Sequence, residues 1–371
     1  MTHGYKQMVT FNIPFFDVST TNDALLSQEC VSNGCKRNWY ILGEEVSNFE
    51  TEFAAYNGAL HCVSVANGTD ALTLALKAVG VRQSDKVVLV ANAGFYGSTA
   101  VHAVGAEPVY CDVSRVSRNM DPTELGKILG NNEAAAVIVT HLYGQASDIE
   151  SIVALCTANN VPLIEDCAQS HGAIVGDKRV GSFGSVGCFS FYPTKNLGGI
   201  GDGGAVITND DTVAQKLRQL RQYGWDGKYN VAVHGGQNSR LDEIQAAILR
   251  KKLPRLDTWN QERRHVAQTY TSALSPLVVC PTVTDESVAH LYVIQTEHRD
   301  GLKASLASAG IATDIHYPIP DHHQPAYSSS AVLPHTEELA KSCLSLPCYP
   351  GMPVEHVERV IDHIREYFSN L

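Results

Sequence analysis

The sequence predicts an α/β fold with a mostly parallel sheet covered by helices, followed by a smaller α+β unit. From Cys62 to about Thr208, short apolar runs alternate with amphipathic segments, and the runs rich in Val, Ile and Leu lack strict alternation. Such runs are typical of strands that helices cover on both faces. After Pro276 shorter strand and helix patterns take over. A chain of 371 residues exceeds one small core, so we place a large domain, with an N-terminal arm, at residues 1–250 and a small domain at 251–371.

Each expected element has its own pattern. Seven segments have strand character: HCVSVA, KVVLVANA, EPVYCDV, AAAVIVTHLYG, VPLIEDCA, GCFSFYP and GAVITN. Helical spacing begins near Val46 and recurs in TDALTLALKAVG and DIESIVALCTANN, and residues from about 210 to 275 are expected to form long helices with a break at Pro254. In the C-terminal part, HLYVIQTE and ATDIHYP are expected strands, DGLKASLASAG and VEHVERVIDHIREYF are expected helices, and YPIPDHHQPAYSSSAVLP is expected to be an ordered loop.

Composition excludes some classes of partner. The formal net charge of −11 argues against a nucleic-acid partner, which needs clustered Lys and Arg. It does not exclude a phosphorylated small molecule, because backbone N–H groups can hold one phosphate. The ten cysteines are scattered without a C-x-x-C pair, as expected for buried free thiols in a reducing compartment. No signal-peptide pattern or membrane-spanning apolar run is evident, so we expect a cytoplasmic protein.

Asp166 in VPLIEDCAQSHGA ends an apolar strand, at the edge where open α/β sheets bind ligands. A carboxylate in that position is costly unless a cation faces it. A protonated pyridine nitrogen would be such a cation. The alternative is a carboxylate that caps the following helix, and Gln169 and His171 could likewise be turn residues.

Lys195 in SFYPTKNLGGIGDGGAVIT follows an apolar strand and precedes a glycine-rich turn. A partly desolvated lysine there can lose its proton and attack a carbonyl, although a surface lysine is the simpler alternative. Residues 199–204 also match G-x-G-x-x-G. That dinucleotide motif should follow a strand and open a helix, whereas these glycines lead into the strand AVIT, so we reject a dinucleotide site.

Two further turns complete the pattern. In ANGTDALTLALKAVG, Gly68 and Thr69 lie where a strand turns into a helix, and free N–H groups there would hold a phosphate; an ordinary cap by Asn67 or Thr69 explains the motif equally well. In VANAGFYGSTA, Phe95 or Tyr96 offers a flat surface to an aromatic ring, with core packing as the alternative.

The order of these four motifs, with WYILGEEVSNFE, THLYGQ, GGQNSRLDEIQAAIL and LSLPCYPGM around them, resembles the pyridoxal-phosphate (PLP) sugar aminotransferases of the DegT/StrS type. The resemblance covers nearly the whole chain and implies PLP fold type I, with a mostly parallel seven-stranded sheet. It implies that Lys195 forms the Schiff base and then carries protons. Asp166 would pair with the pyridine nitrogen, Gln169 would contact the ring hydroxyl and Phe95 would stack on the ring.

The resemblance also assigns the remaining contacts. Gly68, Thr69 and Ser190 would hold the phosphate, and Asn238 would reach the site of a neighbouring subunit, which makes a homodimer the expected unit. Residues implied on the substrate side are Tyr40, His316, Tyr317 and His322. No Cys or carboxylate pattern accompanies the histidines of DHHQPAY, so no metal is expected.

The implied reaction moves an amino group from L-glutamate to a nucleotide-linked keto sugar in two stages. NSRLDE and YGWDGKY resemble the branch that aminates C3 of a dTDP-linked 3-keto-6-deoxy sugar, while C4 amination remains an alternative. Gly94 departs from the Thr that family members often carry before the stacking aromatic, which leaves open whether Phe95 or Tyr96 stacks. A related dehydratase would carry His in place of Lys195, and a non-catalytic regulatory homologue is a further alternative.

Overall fold

The computed structural model describes residues 11–22, 28–32, 38–131, 134–327 and 329–371. Its helices are α1 (Glu44–Asn57), α2 (Gly68–Val79), α3 (Tyr96–Ala103), α4 (Pro122–Asn131), α5 (Ile149–Ala158), α6 (Asp211–Leu220), α7 (Glu243–Lys252), α8 (Leu256–Leu274), α9 (Arg299–Ser308), α10 (Pro334–Ser342) and α11 (Val354–Ser369). Its strands are β1 (His61–Val65), β2 (Lys86–Val90), β3 (Glu107–Cys111), β4 (Ala134–Thr140), β5 (Leu163–Asp166), β6 (Ile174–Val175), β7 (Lys178–Arg179), β8 (Val186–Ser190), β9 (Gly204–Thr208), β10 (Trp225–Gly227), β11 (Asn230–Val231), β12 (Tyr292–Gln295) and β13 (Cys343–Leu346).

The main sheet has seven strands in the order β1-β9-β8-β5-β4-β2-β3. Only β9 runs antiparallel to its neighbours; the pairs β8–β5, β5–β4, β4–β2 and β2–β3 are parallel. All seven predicted strand segments take part, so the predicted α/β fold with a mostly parallel seven-stranded sheet is confirmed. Because β9 alone is reversed, the carboxyl ends of the other strands and the start of β9 share one edge of the sheet.

Sequence-local chemistry sets the helix ends. Asn67 caps α2 by accepting a hydrogen bond from the N–H of Asp70 at 2.8 Å, and Asp210 caps α6 through the N–H groups of Thr212 and Val213. Pro254 breaks the long helical segment as expected, because α7 ends at Lys252 and a 3₁₀ turn, Leu253–Arg255, leads into α8.

A second apolar core lies in the C-terminal part of the chain. It joins α8, α9 and α11 with the two-stranded sheet of β12 and β13, and the N-terminal Ile13 packs into it. The domain boundary at residue 250 stays a prediction.

Two expected elements were wrong. Residues 221–242 are not helical but hold turns and the short pair β10–β11, since Tyr223, Gly224 and Tyr229 adopt positive φ. ATDIHYP makes only an isolated bridge between Asp314 and Ser345, because the partner of β12 is β13, from a later part of the sequence.

Of the nine described cysteines, all are free, eight are buried and Cys280 is half-buried; Cys35 lies outside the described residues. The predicted free thiols are therefore confirmed for the described part. Among the described residues, no helix combines the length and the apolar character needed to cross a bilayer.

Candidate active site

A cavity of about 530 Å³ opens at the carboxyl edge of the sheet. It brings together residues that are far apart in sequence, from the start of α2, the ends of β4, β5 and β8, the loop after β8 and the segment before β12. The sequence-predicted residues that line it are Gly68, Thr69, Asp166, Gln169, Ser190, Lys195, His316 and Tyr317. The single chain therefore gathers eight of the predicted site residues around one space.

Asp166 is the last residue of β5 and is buried. Its carboxylate accepts hydrogen bonds from the N–H of Ala168 at 3.1 Å and the Oγ1 of Thr140 at 3.3 Å. Burial raises the pKa of Asp166, an effect that the Ala168 hydrogen bond and the charge of Lys195 oppose. Two hydrogen bonds leave carboxylate lone pairs free toward the cavity.

Lys195 lies in the tight loop that follows β8. Its N–H donates to the carbonyl of Tyr192 at 2.8 Å, and the N–H of Gly199 closes the loop on the carbonyl of Phe191 at 2.8 Å. Burial lowers the pKa of Lys195 to about 8, while the charge of Asp166 opposes that shift. A lysine with such a pKa is partly unprotonated at neutral pH and is a competent nucleophile.

The first turn of α2 forms another wall of the cavity. Asn67 uses its side chain and its carbonyl to bond the N–H groups of Asp70 and Ala71. The N–H groups of Gly68 and Thr69 make no hydrogen bond within the described residues, as expected for the start of a helix. A Cβ at Gly68 would lie 2.6 Å from the Cβ of Ser190. Only glycine therefore allows this turn to approach the end of β8.

Aromatic rings form another part of the cavity wall. Tyr96 lines the cavity and is 43% exposed, and Tyr317 lies so close to Gly94 that a Cβ there would come within 2.7 Å of its ring. The hydroxyl of Tyr317 accepts a hydrogen bond from Nε2 of Gln169 at 3.0 Å. The other end of that amide, Oε1, accepts from the N–H of Tyr143 at 2.8 Å. These two contacts fix the orientation of Gln169.

His290 lines the cavity but was missed by the sequence analysis. Its Nδ1 lies 2.8 Å from Oδ1 of Asn196, whose Nδ2 donates to Oδ1 of Asn260 and to the carbonyl of Val288. Since Oδ1 of Asn196 must then accept, Nδ1 of His290 carries the proton and Nε2 is an acceptor. Burial, the charge of Lys195 and the charge of Arg263 lower the pKa of His290, so the ring is neutral.

Some signal for these missed residues existed in the sequence. His290 interrupts the apolar run VAHLYVIQ, and a polar residue in such a run calls for a partner. The other missed residues that line the cavity are Phe16, Asn67, Leu72, Ala93, Thr140, Ala168, Tyr192, Thr194, Asp202 and Leu291. Most belong to motifs already singled out, but nothing in the sequence shows which side chains face inward.

Four predicted site residues do not line the cavity of the single chain: Phe95, Tyr40, Asn238 and His322. Tyr96 lines this cavity and Phe95 lies beside it, with their ring centroids 4.9 Å apart, so stacking by Phe95 or by Tyr96 stays a prediction. Phe95 adopts a left-handed conformation with φ 61° at the start of α3 and is 43% exposed. Asn238 and Tyr40 are exposed on the surface.

His322 is fully buried, with Nε2 3.3 Å from Oε1 of Glu337. It does not line the cavity of the single chain, and its predicted place on the substrate side stays a prediction. Folding brings Glu337, which lies outside the DHHQPAY segment, close to both His322 and His323. The sequence does not show this contact, because Glu337 lies 15 residues after His322.

A buried lysine and a buried carboxylate that line one cavity, at the carboxyl edge of this seven-stranded sheet, are the site expected of an enzyme of fold type I. Residues 24–365 match the DegT/DnrJ/EryC1/StrS aminotransferase family, and the chain belongs to that family. The chain is an aminotransferase, of a family whose members depend on pyridoxal phosphate.

Individual relatives are similar to this chain over nearly its full length. A dTDP-3-amino-3,6-dideoxy-alpha-D-galactopyranose transaminase of Aneurinibacillus thermoaerophilus is 43% identical over 362 residues, covering 96% of this chain and 99% of the relative. The pleiotropic regulatory protein of Geobacillus stearothermophilus is 40% identical over 371 residues, covering 97% and 99%. The crystal structure of S. venezuelae DesV in complex with a ketimine intermediate is similar, with a TM-score of 0.92, 39% identity and coverage of 96% and 99%.

Proposed function

We propose that this chain binds pyridoxal phosphate and transfers an amino group from L-glutamate to the keto carbon of a nucleotide-linked sugar. The products are 2-oxoglutarate and an amino sugar, and the preferred substrate is a dTDP-3-keto-6-deoxyhexose, which gives a dTDP-3-amino-3,6-dideoxyhexose. The observation that carries the proposal is the convergence of Lys195, Asp166 and the first turn of α2 on one cavity.

The residues present fit the cofactor. Asp166 is buried without an ion pair among the described residues, and a pyridinium N–H would supply the missing cation. The free N–H groups at Gly68 and Thr69, with Ser190 beside them, suit a phosphate at a helix N-terminus. When bound, pyridoxal phosphate supplies an electron-accepting ring and a carbonyl carbon that takes up amino groups.

Lys195 would bond covalently to the cofactor and, once displaced by the amino donor, would carry the proton between carbon atoms. Its pKa of about 8 suits both tasks, because the amine can accept a proton and return it near neutral pH. Asp166 would keep the ring nitrogen protonated. Gln169, held by Tyr143 and Tyr317, would contact the ring hydroxyl through its remaining amide hydrogen.

The aromatic wall would orient the ring. Either Phe95 or Tyr96 would pack on the ring, since their ring centroids lie 4.9 Å apart and Tyr96 lines the cavity of the single chain. His316 and Tyr317 also line the cavity and would meet the substrate.

A homodimer is part of this proposal. Exposed apolar side chains gather near the surface position of Asn238, and exposed hydrophobic groups mark interaction surfaces. They are Trp39, Tyr40, Ile41, Tyr223, Tyr229 and Val231. Isolated bridges link this region together, joining Ile41 to Asp242 and Gln222 to Asn238. Asn238 would thereby reach the phosphate of the partner's site.

The sugar assignment is supported by two observations. Relatives with about 40% identity or more over nearly the whole chain include a dTDP-3-amino-sugar transaminase. The segments NSRLDE and YGWDGKY resemble the branch that acts at C3. C4 amination is the alternative outcome of the test below.

The test starts with the colour of the purified protein. Wild type is expected to be yellow, and borohydride should fix the cofactor to Lys195, as peptide mass spectrometry would show. K195A should fold but lose covalent attachment and lose at least about 10⁴-fold in transamination rate, the upper range for a lost acid–base group. K216A, which removes another partly desolvated lysine, is the control and should stay yellow.

The substrate is settled by the reverse reaction. dTDP- and UDP-linked 3-amino and 4-amino sugars would be offered with 2-oxoglutarate, and L-glutamate formation measured. We expect turnover with a dTDP-linked 3-amino sugar. A wild type that binds no pyridoxal phosphate would refute the proposal, and one that binds it without turning over any of these sugars would favour the regulatory alternative, in keeping with the name of the Geobacillus stearothermophilus relative.

A further inference from the structure

Asp321 lies in the segment after Tyr317 and is 1% exposed, yet none of the roles above uses it. Its N–H donates to the carbonyl of Ala91 at 2.8 Å, at the end of β2. Its carboxylate then faces the start of α3. One oxygen, Oδ1, accepts from the N–H of Phe95 at 2.9 Å, and the other, Oδ2, accepts from Oγ of Ser98 at 2.5 Å.

The N-terminus of α3 needs a hydrogen-bond acceptor from another part of the chain. Its N-cap residue is Phe95, which has no side-chain acceptor and adopts φ 61°, a strained conformation for a bulky residue. Such strain persists only where surrounding contacts hold it. Asp321 supplies two contacts at this turn, one to Phe95 from 226 residues away and one to Ser98 from 223 residues away.

A hydrogen-bonded chain continues behind Asp321. Since the hydroxyl of Ser98 donates to Asp321, the hydroxyl of Tyr110, 3.1 Å from Oγ of Ser98, must be the donor in that second contact. Tyr110 belongs to β3 and is buried. The carboxylate is therefore anchored to the sheet as well as to α3.

The turn that Asp321 holds also carries Tyr96. Tyr96 and Tyr317 together form the aromatic wall of the cavity. Tyr96 follows Phe95 and lines the cavity, and Gly94 precedes Phe95 in contact with the ring of Tyr317. Any shift of the Phe95 backbone would move Tyr96 relative to Tyr317. The pKa of Asp321 is raised to about 6 by burial, so the group is charged at neutral pH and its hydrogen bonds are charge-assisted.

We propose that Asp321 is a positioning residue that holds the Phe95–Tyr96 turn in place and thereby sets how tightly the aromatic wall clamps the ring of the bound cofactor. The identity of that ring rests on the proposed function. The hydrogen bonds themselves belong to this chain and can be tested without a cofactor.

Asp112 offers a matched control. It too is a carboxylate that caps a distant helix, since Oδ1 accepts from the N–H of Thr336 at 2.9 Å and Oδ2 from the N–H of His335 at 3.0 Å, at the start of α10. It does not line the cavity. D112N therefore removes the same kind of contact without touching the aromatic wall.

The experiment compares wild type, D321N, S98A and D112N. The measurements are the Kd for pyridoxal phosphate, the visible circular dichroism of the bound cofactor, and hydrogen exchange of residues 91–103 in the apo-protein. For D321N we expect roughly tenfold weaker cofactor binding, as for one lost charge-assisted contact, with a diminished visible signal and faster exchange. S98A, which keeps the carboxylate, should show a smaller change of the same sign.

D112N should lower the thermal midpoint while leaving Kd and the visible signal unchanged. If D321N matches D112N in Kd and visible signal, Asp321 is merely structural and the proposal is overturned. Should D321N fail to fold, S98A decides on the same criteria. A wild type without cofactor refutes the proposed function only; unchanged exchange of residues 91–103 in the apo variants would then refute the role of Asp321.

Discussion

Two neighbouring carboxylates at the end of β5 face opposite sides of the sheet and meet opposite environments. Glu165 is fully buried, and its oxygens accept from the N–H groups of Gly181, Phe183 and Gly184, each at 2.7 Å. A fourth partner of Glu165 is His141, whose Nε2 lies 3.0 Å from Oε2.

Asp166, one residue later, has only the two contacts from Ala168 and Thr140, both longer. Successive strand residues point to opposite faces, so one carboxylate joins the protein interior and the other joins the cavity. Glu165 therefore has a full set of hydrogen-bond partners within the protein, whereas Asp166 keeps lone pairs that can accept a hydrogen bond from a ligand.

The largest effect expected from the difference between Glu165 and Asp166 is on the transamination rate. D166N should lower the transamination rate roughly 10³-fold, within the range for a lost acid–base contribution, because a neutral amide cannot keep the cofactor's ring nitrogen protonated. Steady-state rates with a saturating amino donor would measure it. A loss below tenfold would mean that Asp166 does not face the ring nitrogen.

Substitution of Glu165, in contrast, is expected to change the stability of the fold. E165Q should lower the free energy of unfolding by ~3 kcal/mol, because its amide group would leave buried N–H donors without an acceptor. Urea unfolding of the apo-protein measures this. D166N serves as the control in the same assay, and equal losses for the two variants would remove the distinction between the two carboxylates.

The two carboxylates should also differ in their effect on Lys195. The charge of Asp166 raises the pKa of Lys195 and burial lowers it, to a net value of about 8. Apo-protein should therefore react with pyridoxal and borohydride at Lys195 increasingly fast up to about pH 8 and level off above it. D166N should move that plateau to lower pH.

Peptide mapping is needed for this measurement, because burial also lowers the pKa of Lys252 to about 8. Lys252 is an internal control, since Asp166 does not contribute to its shift. A plateau that moves equally at both lysines would point to a general change in the protein rather than to the Asp166–Lys195 pair.

The smallest expected effect is the stability of D166N itself. The folded-state pKa of Asp166 lies above its ordinary value of 3.8, so the protonated form is favoured by folding. That contribution is present below pH 3.8 and is lost as pH rises through the raised pKa. Near pH 7, D166N apo-protein should be as stable as wild type or slightly more stable.

Unfolding at pH 4 and pH 7 tests this sign. The difference in unfolding free energy, D166N minus wild type, should be larger at pH 7. A D166N that loses several kcal/mol at pH 7 would show that the carboxylate is structural in the way Glu165 is.

Particular residues show where sequence reasoning succeeded. Asp166, Lys195 and Gly68 were placed at strand ends and turns, and the parallel sheet then brought them to one edge. The sequence left open whether Phe95 or Tyr96 packs on a ring, because adjacent aromatic residues have the same sequence signal; the folded chain places Tyr96 in the cavity wall and gives Phe95 a left-handed backbone. His290 and Asp321 were missed because their partners, Asn196 and Phe95, are 94 and 226 residues away.

The sequence by itself determined which segments form buried strands and the order along the chain of the motifs that follow several of them: a turn suited to a phosphate, an aromatic pair, a carboxylate and a lysine. Local periodicity and turn chemistry need only neighbouring residues, so they can be seen without a fold. The tertiary structure alone decided which buried carboxylate is saturated, which aromatic ring lines the cavity and which histidine is held neutral there. Those properties depend on desolvation and on hydrogen bonds between distant segments, and both arise only when the chain has packed.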